Sequence, residues 1–217
     1  MLSLTEENYL KEIYHLSDGG KLSVSTNSIA EVMKTAAASV TDMIKKLAAK
    51  KLLNYQKYQG VYISDEGQRQ ALNLIRKHRL WESFLVNKLK FNWDEVHEVA
   101  EQLEHIKSPL LIKRLDEFLG HPRIDPHGDP IPDEKGAFPK IRREPLIQWN
   151  LGDIGTIIGV ADSSAVFLQY LDKIGVGIGS KIMIKDKVAF DGSLEVVIND
   201  EKTIYISTNV SQNLLMA

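Results

Sequence analysis

Six of the seven prolines fall between His121 and Trp149, and the hydrophobic texture of the chain differs on the two sides of that stretch. Before it, apolar residues recur at helical spacing. After it, from Leu151 on, they gather in short β-prone runs (Ile154–Val160, 181–184, Leu194–Ile198, 203–206), with glycine-rich turns and one helix near 163–173. A chain of 217 residues with such a break holds more than one core. The expected class is α+β and multidomain. The expected division is a winged helix-turn-helix over 1–65, an all-helical domain over 66–135, a linker over 136–150 and a small β-barrel over 151–217.

The first 65 residues carry the most specific local pattern. A helix is predicted over 5–17, with Thr5 as its cap, Glu6 and Glu7 in its first turn, and Tyr9, Leu10, Ile13, Tyr14 and Leu16 as its apolar face. Asp18-Gly19-Gly20 stops it. A short helix follows the run Ser25-Thr26-Asn27-Ser28, and a longer one runs from Ala37 to Lys50 with Val40, Ile44 and Leu47 inward. Two β-prone runs around Gly60 then read as a wing. Further helices are expected over 66–88, 94–106 and 108–119.

Net charge is −2, so the composition as a whole does not advertise a nucleic-acid binder. The distribution does: Lys34, Lys45, Lys46, Lys50, Lys51 and Lys57 face the single acid Asp42 between positions 34 and 57. In a helix-turn-helix the second helix enters the major groove with its N-terminal residues near base edges. That assigns Ser39, Thr41 and Asp42 to base or phosphate contacts, Lys45 and Lys46 to phosphates, and Lys57 and Tyr58 to the wing. The lysines also fit a solvated helix surface. Asp42 is either a cytosine reader or a sign that the helix is placed one turn off.

Cysteine is absent, which excludes disulfides and thiolate sites and leaves His, carboxylate, amide or water as metal ligands. No apolar run is long enough to span a membrane, and the N-terminus runs at once into Glu6, Glu7, Lys11 and Glu12 with no secretory pattern. A cytoplasmic location is expected. In the predicted 94–106 helix, His97, Glu101, Glu104 and His105 stand at i, i+4, i+7 and i+8, within about 100° of arc. His78 and Glu82 share a face of an upstream helix that can lie opposite. The same spacing fits the wet side of an amphipathic helix, because Val96, Val99, Ala100, Leu103 and Ile106 occupy the other arc.

The residues 5–14 (Thr-Glu-Glu-Asn-Tyr-Leu-Lys-Glu-Ile-Tyr), Ser39-Val40-Thr41, His78-Arg79-Leu80-Trp81-Glu82, Glu101-Gln102-Leu103-Glu104-His105 and the 125–132 run Asp-Pro-His-Gly-Asp-Pro-Ile-Pro occur in one order along the chain. Together they resemble the diphtheria-toxin-repressor family of iron- and manganese-dependent regulators, and the likeness covers nearly the whole chain. The resemblance implies a homodimer formed through the helical domain, an SH3-like or FeoA-like terminal barrel, and binding of palindromic double-stranded operator DNA. It implies Mn(II) or Fe(II) as co-repressor at two sites per subunit. The primary set would be Asn8, His78, Glu101, Glu104 and His105. The secondary set would draw on Glu82, Asp125, His127 and Asp162, as in the streptococcal manganese-regulator branch, which has Cys where this chain has Asp125. His97 corresponds to an ancillary ligand of the diphtheria-type branch and would join His78 and Glu82.

The departures favour manganese. Asn8 and Glu101 replace the Met and Cys of iron-responding members, and hard oxygen ligands suit Mn(II), although Asn8 brings no charge. Lys11 stands where the Bacillus-type manganese regulator has a Glu ligand, which argues against a close binuclear site. Two other classes remain in view. One is a metal-independent winged-helix regulator with a ligand-binding C-terminal domain. The other is a small metalloenzyme, for which the chain offers no nucleophile motif, phosphate loop or HExxH pairing. Neither an enzymatic role nor a small organic substrate is expected.

Overall fold

The structure is a computed structural model, and it describes residues 2–56 and 60–217. Backbone contacts divide the chain into two compact units. One holds residues 1–78, 101–110 and 132–138; the other holds 79–100, 111–131 and 139–217. The division cuts across three helices, because the helical region contributes to both.

The first unit opens with α1 (Leu4–Leu16), α2 (Thr26–Val32) and α3 (Ala37–Ala49), followed by the antiparallel pair β1 (Leu53–Gln56) and β2 (Gly60–Ile63). Ser3, rather than Thr5, caps α1: its hydroxyl accepts from Glu6 N–H while the Glu6 carboxylate accepts from Ser3 N–H, a reciprocal capping box. Thr5 sits one position inside the helix, where a cap has no orphan amide left to serve. The wing gains a third partner, since Val24 pairs with Val61 in both directions. Gly60 (φ +94°) lies so close that a Cβ there would press on the Val24 carbonyl oxygen. Ile29, Val40, Leu47 and Val61 are wholly buried in the core this creates. Each such side chain stabilises the domain by about 1.5–3 kcal/mol relative to exposure. Lys50, the C-cap of α3, donates to both Glu6 oxygens at 2.7 and 2.8 Å, tying the end of α3 to the start of α1.

Three helices follow: α4 (Asp65–Leu89), α5 (Val96–Leu103) and α6 (Pro109–Leu119). The predicted 94–106 helix is shorter than expected at both ends. It stops at Leu103, so Glu104 and His105 lie in a turn rather than on the continuing face of α5. Two causes act there: both side chains are drawn into contacts described below, and Pro109 takes the first helical position of α6, which disfavours helix immediately before it.

The barrel belongs to the second unit. Its six strands, β3 (Glu144–Pro145), β4 (Ile154–Val160), β5 (Lys181–Lys187), β6 (Leu194–Ile198), β7 (Lys202–Ile206) and β8 (Leu214–Met216), run antiparallel in the order β3-β8-β4-β5-β6-β7. Two helices, α7 (Ala165–Ile174) and α8 (Thr208–Asn213), pack with them. Strand β3 lies inside the stretch expected to be linker, and Leu146 just after it is wholly buried in the barrel core. Among the described residues, no helix is long and apolar enough to cross a membrane.

Candidate metal centre

In the first unit, α1, the part of α4 up to His78, the end of α5 and the turn after it place the expected primary residues. Glu104 is wholly buried. Its Oε2 accepts from His78 Nδ1 at 2.6 Å and its Oε1 accepts from Lys11 Nζ at 2.7 Å. Burial alone would raise the Glu104 pKa, but the His78 hydrogen bond and the Lys11 charge outweigh it and hold the carboxyl below its usual range. His105 donates from Nδ1 to Glu7 Oε2 at 2.6 Å, which leaves its Nε2 as the free nitrogen, 3.8 Å from Glu104 Oε1. A second residue thus orients a ligand candidate, as carboxylates do behind metal-bound imidazoles.

Asn8 Oδ1 is buried and has no hydrogen-bond partner among the described residues. Such an orphaned oxygen carries a desolvation cost unless something accepts its lone pairs. Glu101 is half exposed, with Oε1 3.6 Å from Lys11 Nζ. The bland wet-face explanation therefore fits Glu101 and the exposed His97 but not Glu104, which no water reaches. The structure brings His78 and His105 to Glu104; with the Asn8 amide oxygen and the Glu101 carboxylate, these residue types would suit a divalent first-row cation.

The second unit holds a cluster of acidic and imidazole side chains. Glu82 on α4 and Asp125 and His127 on the following proline-rich loop are buried, and one ligand atom from each lies within 4.8 Å of the others. The loop is built by Asp125 itself, whose Oδ1 accepts from the His127 and Asp129 amides at 2.8 and 2.9 Å. Gly128 (φ +86°) follows, and a Cβ there would run into the Ile158 carbonyl and Gly159 of β4. That close approach lets the His127 carbonyl accept from Val160 N–H at 2.9 Å. His127 donates from Nε2 to the Trp93 carbonyl at 2.7 Å, while its Nδ1 lies 3.8 Å from Glu82 Oε2.

Charge is concentrated here. Burial, with Glu82 and Asp129 adding to it, pushes the Asp125 carboxyl up to about 7. Burial alone would lower His127, but Glu82 and Asp125 outweigh it and bring it to about 9. The buried carboxylates draw positive charge to themselves, in part from His127. Arg79 supplies part of that charge, with Nε 3.5 Å from Asp125 Oδ2. His97 Nδ1 lies 3.5 Å from Glu82 Oε1. Asp162 stands two residues beyond Val160, and its Oδ1 accepts from Ser164 N–H at 2.8 Å ahead of α7.

On α3, Ser39, Asp42, Lys45 and Lys46 are exposed. Asp42 pairs with Lys45 at 3.3 Å, and the Thr41 hydroxyl donates to the Ala37 carbonyl at 2.9 Å. The cap of α3 is Ala36, which makes no side-chain hydrogen bond to the first-turn amides. Lys57 and Tyr58 lie outside the described residues. Sequence reasoning passed over Glu7, Arg79 and Trp93 as partners of these groups, and it weighed Lys11 only as a departure. Only Glu7 left a signal: an acid beside Asn8 on the helix that faces His105.

The fold is a winged helix followed by helices and an SH3-like barrel. Residues 1–61 match the model of the iron dependent repressor N-terminal DNA binding domain, and 64–133 match its metal binding and dimerisation domain. Residues 144–216 match the FeoA domain. A manganese-dependent transcriptional repressor in complex with manganese is 36% identical, with a TM-score of 0.82 over 98% of this chain and 99% of that one. The manganese regulator SloR is 32% identical, with a TM-score of 0.72 over 98% and 97%. The iron-dependent repressor IdeR of Mycobacterium leprae is 32% identical over 137 residues, covering 62% of this chain and 59% of that protein. The chain thus spans about three-fifths of the length of the curated relatives it matches. It belongs to the iron-dependent repressor family.

Proposed function

We propose that this chain is a DNA-binding transcriptional repressor of metal-ion homeostasis whose co-repressor is Mn(II) or Fe(II), and that it works as a homodimer in the cytoplasm on palindromic double-stranded DNA. The observation that carries this lies in the first unit, where the buried Asn8 oxygen on α1 is unsatisfied among the described residues and the buried Glu104 is joined to the same helix through Lys11. Asn8, His78, Glu101, Glu104 and His105 would hold the primary ion. Glu82, Asp125 and His127, with Asp162 or His97 in support, would hold a second. When bound, the metal supplies the charge that lets a carboxylate and an amide oxygen from different segments share one position. The chain's own part is to fix α1 of the winged helix to residues 101–110, and so bias two recognition helices toward half-sites about one turn apart.

The hard donor set supports manganese over thiophilic metals, and the neutral Asn8 keeps Fe(II) as a partner. Lys45 and Lys46 would meet phosphates, with Ser39, Thr41 and Asp42 nearer the bases and Lys57 and Tyr58 in the wing. Leu111 and Phe118 on α6 and Leu89 on α4 are exposed apolar side chains, which suits a face that meets a second copy. The proposed domains are the winged helix over 1–65, the dimerisation and metal region over 66–135, a linker over 136–150 and the barrel over 151–217.

Fluorescence anisotropy on promoter DNA, with and without Mn(II) or Fe(II), tests the proposal. Metal should tighten binding by more than tenfold. Equal binding in metal and in chelator would instead support a metal-independent winged-helix regulator with a ligand-binding barrel.

A further inference from the structure

Lys11 is not among the proposed metal ligands, yet its ammonium is in direct contact with one of them. Its side chain is 8% exposed, and its ammonium sits 2.7 Å from Glu104 Oε1 and 3.6 Å from Glu101 Oε1. Glu104 is wholly buried, and a buried carboxylate with no countercharge is strongly disfavoured. Lys11 meets that need from within the chain. It also links α1 to the turn after α5, two segments of the same compact unit. Asn8 lies one turn earlier on α1, at i and i+3.

We propose that Lys11 is a tethered cation that contests Glu104 with the divalent metal and, in the metal-free protein, holds α1 to residues 101–110 in the metal's place. This rests on Glu104 and His105 being primary ligands. The ammonium and a divalent ion both require Glu104 Oε1, so binding one weakens binding of the other. Lys11 therefore raises the metal concentration at which the site fills, and it keeps the metal-free winged helix closer to its docked position. The lysine acts as a positioning residue and as the determinant of the metal threshold.

Calorimetric titration of the full chain with Mn(II) tests this in Lys11→Gln, Lys11→Met and Lys11→Arg, each in a His127→Ala background so that the Glu104 set is the site measured. Thermal melts with and without Mn(II) accompany it. Both neutral variants should bind Mn(II) at least tenfold more tightly than the lysine protein, and Lys11→Arg should resemble lysine. Their metal-free melting temperatures should fall, and Mn(II) should raise them further than it raises the lysine protein. Unchanged or weaker affinity in both neutral variants, with melts showing folded protein, overturns the inference alone: Lys11 would then be presenting Glu104 to the metal. Undiminished Mn(II) binding by His105→Ala in the same background overturns the ligand assignment, and the inference with it.

Discussion

His127 and Trp93 form a hydrogen bond of 2.7 Å from imidazole Nε2 to backbone carbonyl, which commits the other ring nitrogen to the side facing Glu82. The ring is thus oriented before any ion arrives, as second-layer contacts do in metal sites. His127→Gln should lower Mn(II) affinity at this cluster by about 10- to 100-fold, the range such changes produce. Equilibrium dialysis at low micromolar metal should show the loss of one ion per chain. An unchanged stoichiometry would remove Glu82, Asp125 and His127 from the metal sites.

Asn8 offers a neutral oxygen with no partner among the described residues, and replacing it by a carboxylate adds a charge where a cation is proposed. Asn8→Asp should tighten Mn(II) binding by roughly tenfold, about 1.4 kcal/mol. Calorimetry that finds the same affinity would show that Asn8 is not a ligand.

His105→Ala should abolish metal-stimulated DNA binding while leaving a folded protein, because the hydrogen bond it removes is to Glu7, which keeps some exposure to solvent, while Glu104 keeps Lys11 and His78. Glu104→Ala is a harsher change. It leaves Lys11 buried without its closest carboxylate, a type of loss that costs about 3–5 kcal/mol. Its melting temperature should fall where that of His105→Ala does not. Normal metal activation in both variants would refute the assignment.

The α1 capping box allows a test by pH. Hydrogen bonds from Lys50 and from the Ser3 backbone hold the Glu6 carboxyl below its usual range. A depressed folded pKa contributes stability that is present above the unfolded value, about 4.3, and is lost as pH falls through the folded one. Glu6→Gln should therefore destabilise the winged helix at pH 7, with the deficit shrinking as acid protonates Glu6 in the parent. Ser3→Ala, which removes the other half of the box, should cost about 1 kcal/mol. Urea melts at several pH values would read both, and a pH-independent Glu6→Gln deficit would count against the ion pair.

For DNA, Lys45→Ala and Lys46→Ala should weaken binding across sequences and lower the salt slope by about one each. Thr41→Val should do less, since the Thr41 hydroxyl already donates to the Ala37 carbonyl. Salt titrations that leave the slope unchanged would move the contact surface off α3.

The helices α1 to α4 were legible because their apolar residues follow one period and because buried Ile29, Val40, Ile44 and Leu47 fall where that period puts them. Strands β3 and β8 were not, since two- and three-residue strands carry no periodicity and form only through pairing with each other and with β4. The turn at Glu104 was missed for a related reason. Helical spacing continued through 101–105, and the contacts that compete with it come from residues some 93 and 26 positions away, Lys11 and His78. Long-range ion pairing leaves no mark on local texture. Family resemblance supplied the ligand sets, but Glu7, Trp93 and Arg79, which orient them, became visible only in three dimensions.

The approach of Gly128 to β4 has a practical consequence. Because Val160 N–H is held by the His127 carbonyl, this one barrel amide is chained to the histidine loop. Its hydrogen-exchange rate is a native gauge of that loop: slow when the loop is held, faster when it opens, and readable without any attached label.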